Sequence, residues 1–214
     1  THDIIPCEDC LLQPEIFSSV VNEVCRFFEE KNISVYDEKT NKGFLRHIYL
    51  RIAEATDEIM LTIVATNRDL KYKEEFVEKI TSTFPQIKSI VLNVNREKTN
   101  VILGNECINL FGSGYITDIL CDTKIKLSAL SFYQVNRIQA EKLYNKAKEY
   151  MGDTKNKTVI YISHRLSSAV LSDRIFVLGN GTILESGSHS ELMEQNGEYS
   201  KMFTLQASSY KGES

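Results

Sequence analysis

Hydrophobic spacing in the first part of the chain alternates between a helical and a strand period. Apolar residues recur three and four positions apart over residues 16–28, after Pro14, which predicts an amphipathic helix with one face on a sheet. The same spacing predicts a second helix over residues 73–84, stopped by Pro85. Runs rich in Val, Ile and Leu around these helices predict three strands, at residues 45–54, 57–66 and 87–95.

Shorter runs continue this pattern to residue 128. Residues 101–103 and 107–111 flank Gly104-Asn105, which predicts a hairpin, and residues 115–120 and 124–127 alternate as strands do. The order of helix, strands, helix, strands predicts a mixed α+β fold in which helices back an antiparallel or mixed sheet.

The last third reads as a truncated parallel α/β segment. Asn136 is placed to cap a helix that runs to residue 151. Residues 158–163 are short, apolar and β-branched, which is typical of a fully buried parallel strand. The remaining predicted elements are a strand at 174–178, a type I′ turn at Asn180-Gly181, a strand at 182–185, and helices at 190–194 and 199–207.

Composition is ordinary for a globular chain. The 214 residues are 42% hydrophobic and 25% charged, enough for one large domain or two small ones. The longest apolar run, residues 59–65, is too short to cross a bilayer. With no signal peptide visible, a cytoplasmic location is expected, and a first residue of Thr1 suggests a missing upstream segment.

Charge gives no support for a protein that wraps duplex nucleic acid. The net charge is −4, whereas phosphate contacts call for a basic excess. Two local basic clusters could be nucleic-acid footprints or merely solvated faces. They are Lys39, Lys42, Arg46 and Arg51, and Arg68, Lys71 and Lys73.

The five cysteines suggest reduced thiols. Cys7 and Cys10 form the only close pair, and no second pair or histidine follows at zinc-ligand spacing. The pair could also be part of a site whose other ligands lie upstream.

Residues 1–150 resemble the middle of the RNA uracil-5-methyltransferases of ribosomal and transfer RNA. The resemblance rests on Asp9-Cys10-Leu11-Leu12-Gln13, Lys42-Gly43-Phe44-Leu45-Arg46-His47, Thr99-Asn100-Val101-Ile102 and, most specifically, Ser131-Phe132-Tyr133-Gln134-Val135-Asn136. It implies S-adenosylmethionine as methyl donor and RNA as substrate. In that family a cysteine thiolate adds to C6 of a flipped-out uracil, which makes C5 the nucleophile toward the methyl group, and a carboxylate removes the C5 proton.

The resemblance assigns three residues. Gln134 matches the family's cofactor-contacting glutamine, and Phe132 matches a stacking surface at the uracil pocket, although an ordinary core aromatic is the alternative. Cys10 matches the last ligand of the 4Fe–4S cluster found in many members, and it cannot hold a cluster alone.

The chain departs from that family after residue 157. A glycine-rich cofactor loop is expected there, and residues 157–164 contain none. Cys25, Cys107 and Cys121 do not match the family's nucleophile in context, so we expect no catalysis by this chain alone. A non-catalytic RNA-binding module is the alternative.

Residues 158–210 resemble the C-terminal end of exporter-type ABC nucleotide-binding domains. The matching pieces are residues 158–168, 172–178 and 181–189. His164 takes the position of that family's γ-phosphate-contacting histidine, but the phosphate loop, the acidic Mg²⁺ strand and the signature loop are missing. ATP and Mg²⁺ therefore enter only under the alternative that the chain is an ABC ATPase remnant.

The two resemblances predict three regions. Residues 1–128 are expected to form the central RNA-binding-type domain, 129–157 the start of the methyltransferase domain, and 158–214 the ABC ATPase piece. A gene fusion, a mis-joined assembly and a deliberate construction all fit such a hybrid.

Overall fold

The computed structural model describes residues 10, 13–98, 101–152, 158–162 and 166–211. The chain divides into two compact units, Thr1–Tyr150 and Met151–Ser214. The predicted mixed α+β class is confirmed by the strands and helices of the first unit. No helix among the described residues is long and apolar enough to span a membrane.

The first unit is built on a four-stranded sheet in the order β1-β2-β3-β4. Helix α1 (Glu15–Glu30) precedes β1 (Leu45–Ala53) and β2 (Glu58–Ala65), and helix α2 (Lys73–Thr83) connects β2 to β3 (Ile87–Val94). Strand β4 is Glu106–Gly112. The β1–β2 and β3–β4 pairs are antiparallel and β2–β3 is parallel, as a helical crossover allows.

Helices α1 and α2 cover one face of this sheet. Alternate residues of the two central strands, such as Leu61, Ile63 and Ile90, are fully buried against them. The tilted rings of Phe27, Phe28 and Phe76 join the helices to each other. The helical period in the sequence therefore did identify the face that packs on the sheet.

A two-stranded hairpin packs on the opposite face. Strands β5 (Tyr115–Leu120) and β6 (Thr123–Ser128) pair antiparallel. Ile116 and Leu127 are buried with Met60 and Val91 of the central strands. Helix α3 (Arg137–Met151) follows, and the side chain of Asn136 accepts a hydrogen bond from the backbone N–H of Gln139 at 3.1 Å, as the predicted cap requires.

The hairpin predicted around Gly104-Asn105 is wrong. Residues 101–103 form no strand, and β4 pairs with β3 instead. The amide nitrogen of Asn95 donates to the carbonyls of Val101 and Ile102, at 2.7 and 3.0 Å. Because this buried side chain supplies the partners of the loop carbonyls, the segment does not need a second strand.

The second unit contains an antiparallel hairpin and short helices. Strands β7 (Ile175–Gly179) and β8 (Thr182–Gly187) are joined through Asn180 and Gly181, which both have positive φ, as a type I′ turn requires. Its helices are α4 (Leu166–Ala169), α5 (His189–Glu194) and α6 (Glu198–Lys211). Ser188 and Glu191 form a capping box at the start of α5.

The parallel strand predicted at residues 158–163 is also wrong over its described part. Residues 158–162 have no strand structure, and Ile160 and Ile162 are 86% and 94% exposed. An apolar run becomes a buried parallel strand only between neighbouring strands, and the described part of this unit has only the β7–β8 hairpin.

Candidate functional site

A cleft of about 430 Å³ runs along strand β1 in the first unit. The start of α1 lines it with Pro14 and Phe17, and the segment before α3 lines it with Tyr133, Gln134 and Val135. Strand β1 contributes its apolar residues and also Tyr49 and Arg51. The cleft is of the size that small ligands occupy, and it is largely apolar with a few polar groups.

The segment from Ser131 to Gln134 alternates between anchored and exposed side chains. Ser131 and Tyr133 are half-buried, whereas Phe132 is 68% exposed and Gln134 is exposed. The two residues assigned to ligand contact, Phe132 and Gln134, are thus exposed to solvent.

Asp118 of β5 anchors the side chain of Tyr133. Its buried carboxylate accepts a hydrogen bond from the hydroxyl of Tyr133 at 2.7 Å, and from the backbone N–H groups of Ala55 and Ile119 at 3.0 and 2.8 Å. Burial, and then the hydrogen bond to Asp118, raise the pKa of Tyr133 well above its usual value. Tyr133 is therefore a neutral hydrogen-bond donor at physiological pH.

Two arginines hold the ends of the same segment. The guanidinium of Arg51 donates to the carbonyl of Ser131, and the hydroxyls of Ser128 and Ser131 lie 2.9 Å apart. Arg137 donates from two nitrogens to the carbonyl of Ile119, at 3.0 and 3.1 Å, and forms an ion pair with Glu141. The segment is thus held at Ser131 and Tyr133, and the chain is held again at Arg137, three residues after Gln134.

The structure places the other assigned residues as follows. Phe132 is not among the residues that line the cleft, so Gln134 and Phe132 do not share it. Cys10 is half-buried, and among the described residues no group of three or more His, Cys, Asp or Glu side chains could hold a metal ion. His164 lies outside the described residues.

Three of the described thiols lie in different surroundings. Burial, and then the charge of Glu29, raise the pKa of Cys25, which disfavours the thiolate. Cys107 accepts a hydrogen bond from the amide of Asn93 at 3.3 Å, and the sulfur of Cys121 lies 4.0 Å from the carbonyl of Glu141.

Known proteins similar to this chain are RNA methyltransferases. An RNA methyltransferase of Bacillus cereus, itself described as uncharacterized, is 46% identical over 160 residues, which are 75% of this chain and 35% of that protein. An RNA methyltransferase of Staphylococcus aureus is 42% identical over 160 residues, which are again 75% of this chain and 35% of that protein. Three-quarters of this chain is similar to RNA methyltransferases. No protein-family model matches the chain.

A third relative reaches further along the chain. The RNA methyltransferase of Caldanaerobacter subterraneus subsp. tengcongensis is 38% identical over 194 residues, which are 89% of this chain and 43% of that protein. This match extends into the segment that resembles an ABC ATPase. The chain thus spans only about a third to two-fifths of the length of these relatives.

A solved structure supports the same kinship. The tRNA (uracil-54, C5)-methyltransferase of Pyrococcus abyssi, in complex with S-adenosyl-L-homocysteine, superposes with a TM-score of 0.61 at 27% identity, over 71% of this chain and 36% of that protein. Together with the relatives, it supports the resemblance to RNA uracil-5-methyltransferases.

Three positioning residues were missed by sequence reasoning. Asp118 and Arg137 belong to no quoted motif position, and Arg51 was assigned only to a basic cluster. The motif did include Tyr133, but its partner Asp118 lies in another strand. A charged residue within a predicted strand, as Asp118 is between Thr117 and Ile119, was the available signal.

Proposed function

We propose that residues 1–150 form the part of an RNA uracil-5-methyltransferase that presents Gln134 to S-adenosylmethionine and Phe132 to the target uracil. The substrate class is ribosomal or transfer RNA. The observation that carries the proposal is the anchored segment 131–134, in which the two matching side chains are the exposed ones. A Gln amide both donates and accepts hydrogen bonds, as contact with a polar cofactor group requires.

The chemistry assigned to these residues is binding and orientation. S-adenosylmethionine, when bound, supplies the electrophilic methyl group. Gln134 would hold the donor, and Phe132 would stack on the extruded base and hold its plane. The segment anchors keep both side chains in place, which lowers the entropy lost on binding.

We also propose that this chain does not transfer methyl groups alone. The glycine-rich cofactor loop expected after residue 157 is missing from the sequence, and the raised pKa of Cys25 speaks against a nucleophilic role. A 4Fe–4S cluster would need ligands besides Cys10.

The test is a graft into the Bacillus cereus relative. Residues 1–150 replace the matching segment, so that the host supplies the rest of the enzyme, and transfer of tritiated methyl groups from S-adenosylmethionine to RNA is measured. We expect the graft to methylate uridine at C5 and the isolated chain to be inactive. Gln134→Ala in the graft should lower kcat/KM about 10- to 100-fold, the cost of leaving a polar contact unmade.

The matched control is Gln139→Ala. Gln139 has the same chemistry and lies five residues further along the chain, in α3 and outside the cleft. A graft that folds but loses no activity with Gln134→Ala would contradict the role of Gln134. Methyl transfer by the isolated chain would contradict its proposed inactivity.

We propose further that residues 158–210 derive from an ABC nucleotide-binding domain, with His164 as the remnant of its switch histidine. The support is the ordered run of motif pieces in the sequence. Without a phosphate loop, no ATP or Mg²⁺ binding is expected. A single long sequencing read across the codons for residues 145–165 tests the join, because a read that ends in methyltransferase sequence instead would remove it.

A further inference from the structure

The arginines and lysines of the two basic clusters have different partners in the structure. In the second cluster Arg68 forms an ion pair with Glu106, and Lys73 forms one with Glu74 at 3.4 Å. The charges of Arg68 and Lys73 are thus locally compensated, which favours a solvated face over a nucleic-acid footprint for these two residues.

The arginines of the first cluster differ. Within the described ranges, no ion pair joins Arg46 or Arg51 to a carboxylate. Arg46 donates to the carbonyls of Asn95 and Glu97, at 3.0 and 2.7 Å. Because carbonyls carry no net charge, the positive charge of both arginines stays uncompensated by a carboxylate ion pair within the described residues.

Each of these arginines lies over a tyrosine ring. The guanidinium carbon of Arg46 is 4.8 Å from the ring centroid of Tyr36, and that of Arg51 is 5.4 Å from the ring of Tyr49. The β1 arginine–tyrosine surface consists of these two pairs, Tyr36 with Arg46 and Tyr49 with Arg51.

Strand geometry puts this surface on one side of β1. Ile48, Leu50 and Ile52 pack toward the helices, so Tyr49 and Arg51 belong to the opposite face. A bulge between Leu45 and His47 interrupts the alternation of side chains between the two faces of the strand at Arg46. From Arg46 to Arg51 the strand spans about 16 Å, at roughly 3.3 Å per residue.

The lysines of the same cluster add less. Lys39 and Lys42 lie in a turn that also contains Asp37, whose pKa is lowered by hydrogen bonds from Thr40 and Lys39. The pKa of His47 is lowered chiefly by burial and then by the charge of Arg46, with Glu38 acting in the opposite direction. Among the described cations of this cluster, Arg46 and Arg51 are the two that the structure places over aromatic rings.

We propose that the β1 arginine–tyrosine surface binds single-stranded RNA next to the target base. Uncompensated arginines attract the phosphates, and tyrosine and guanidinium planes are stacking platforms for unpaired bases. Tyr49 and Arg51 also line the cleft that contains Gln134, so the surface is continuous with the candidate site. The inference rests on the proposed function for its choice of RNA. The net charge of −4 argues for a short single-stranded contact over a duplex footprint.

The test is fluorescence anisotropy with the full chain and a labelled oligouridylate of about ten nucleotides. A hairpin RNA of the same length provides the duplex comparison, and salt is varied from about 50 to about 200 mM. No S-adenosylmethionine is present, so a failed cofactor role leaves this measurement unaffected. We expect the single strand to bind more tightly than the duplex.

Two variants and a control locate the contact. Tyr49→Leu should weaken binding about 5-fold or more, through loss of one stacking platform. Arg46→Gln should weaken it and reduce the salt slope by about one. Lys88→Gln removes the same charge at an exposed site on β3, where Lys88 donates to the carbonyl of Pro85 at 2.7 Å, and should leave binding unchanged.

Each other outcome contradicts the inference in its own way. If the chain binds RNA but Tyr49→Leu, still folded by circular dichroism, binds equally well, RNA is held elsewhere and the methyltransferase proposal stands. If the wild-type chain binds no RNA at low salt, this surface has no such role, while the grafted enzyme still tests Gln134. Preference for the hairpin would make it a duplex contact.

Discussion

At the scale of single residues, Asp118 is the side chain on which the candidate segment depends. One buried carboxylate receives the hydroxyl of Tyr133 and two backbone N–H groups from separate parts of the first unit. The backbone donors belong to the β1–β2 turn at Ala55 and to β5 itself at Ile119. The group therefore fixes the segment that bears Gln134 to the sheet.

We expect Asp118→Ala to lower the free energy of unfolding by about 2–4 kcal/mol, because three donors lose their shared buried carboxylate acceptor. Tyr133→Phe removes one hydrogen bond only and should cost about 1 kcal/mol. Urea unfolding followed by circular dichroism measures both. Equal costs for the two variants would show that the backbone donors find other partners.

The raised pKa of Tyr133 adds a dependence on pH. The folded state favours the neutral phenol, so this contribution to stability is complete below the unfolded tyrosine pKa of about 10 and is lost as pH rises toward the folded value. Between about pH 9 and about pH 11 the wild type should lose more stability than Tyr133→Phe. The same urea titrations at each pH give the answer, and parallel losses would mean that Tyr133 ionises as it does in the unfolded chain.

At the scale of elements, β4 follows a path set by a close approach of backbones. Gly112 ends β4 with a φ of 74°, and a Cβ there would lie 1.9 Å from the carbonyl oxygen of Lys88. Gly114 has a φ of 77°. A Cβ there would meet the side-chain Cγ of Asn109 at 3.8 Å, which is an ordinary van der Waals contact. The two glycines differ in contact and share the same left-handed backbone.

This pair predicts unequal costs for the same substitution. Gly114→Ala should lower the free energy of unfolding by about 1–2 kcal/mol, from the left-handed conformation alone. Gly112→Ala should cost a further 1–3 kcal/mol, roughly, because the β3–β4 backbone must shift. Thermal or urea unfolding of the two variants tests this, and a smaller loss for Gly112→Ala would contradict the close approach.

At the scale of the whole molecule, the two units differ in the size of their cores. Among the described residues, the main core of the first unit has sixteen buried apolar residues, and that of the second has three: Val177, Leu192 and Tyr199. The second unit also exposes Phe176, Leu178 and Ile183 of its hairpin. Local opening is easier where few apolar contacts are buried.

Limited trypsin digestion should therefore remove residues of the second unit before it cleaves the first. Lys and Arg occur in both units, so the order of cleavage reports local stability and not the supply of sites. Mass spectrometry of the fragments over time measures it. Survival of residues 151–214 for as long as the sheet of the first unit would contradict this expectation.

The sequence by itself determined the elements whose signal is local. The periods of α1 and α2, the alternation in β5 and β6, the Asn136 cap and the Asn180-Gly181 turn each depend on residues a few positions apart, and each is present in the structure. The hexapeptide at 131–136 likewise identified the segment that the fold anchors beside a cleft.

Only the tertiary structure decided the features that depend on particular side-chain partners. Residues 101–103 form a loop because Asn95 supplies partners for its carbonyls, and residues 158–162 form no strand where the described unit offers no neighbouring parallel strand. The tertiary structure also decided which partner each arginine has: Glu106 forms an ion pair with Arg68, whereas Arg46 donates to backbone carbonyls. These outcomes depend on contacts of individual side chains, which periodicity and composition do not encode.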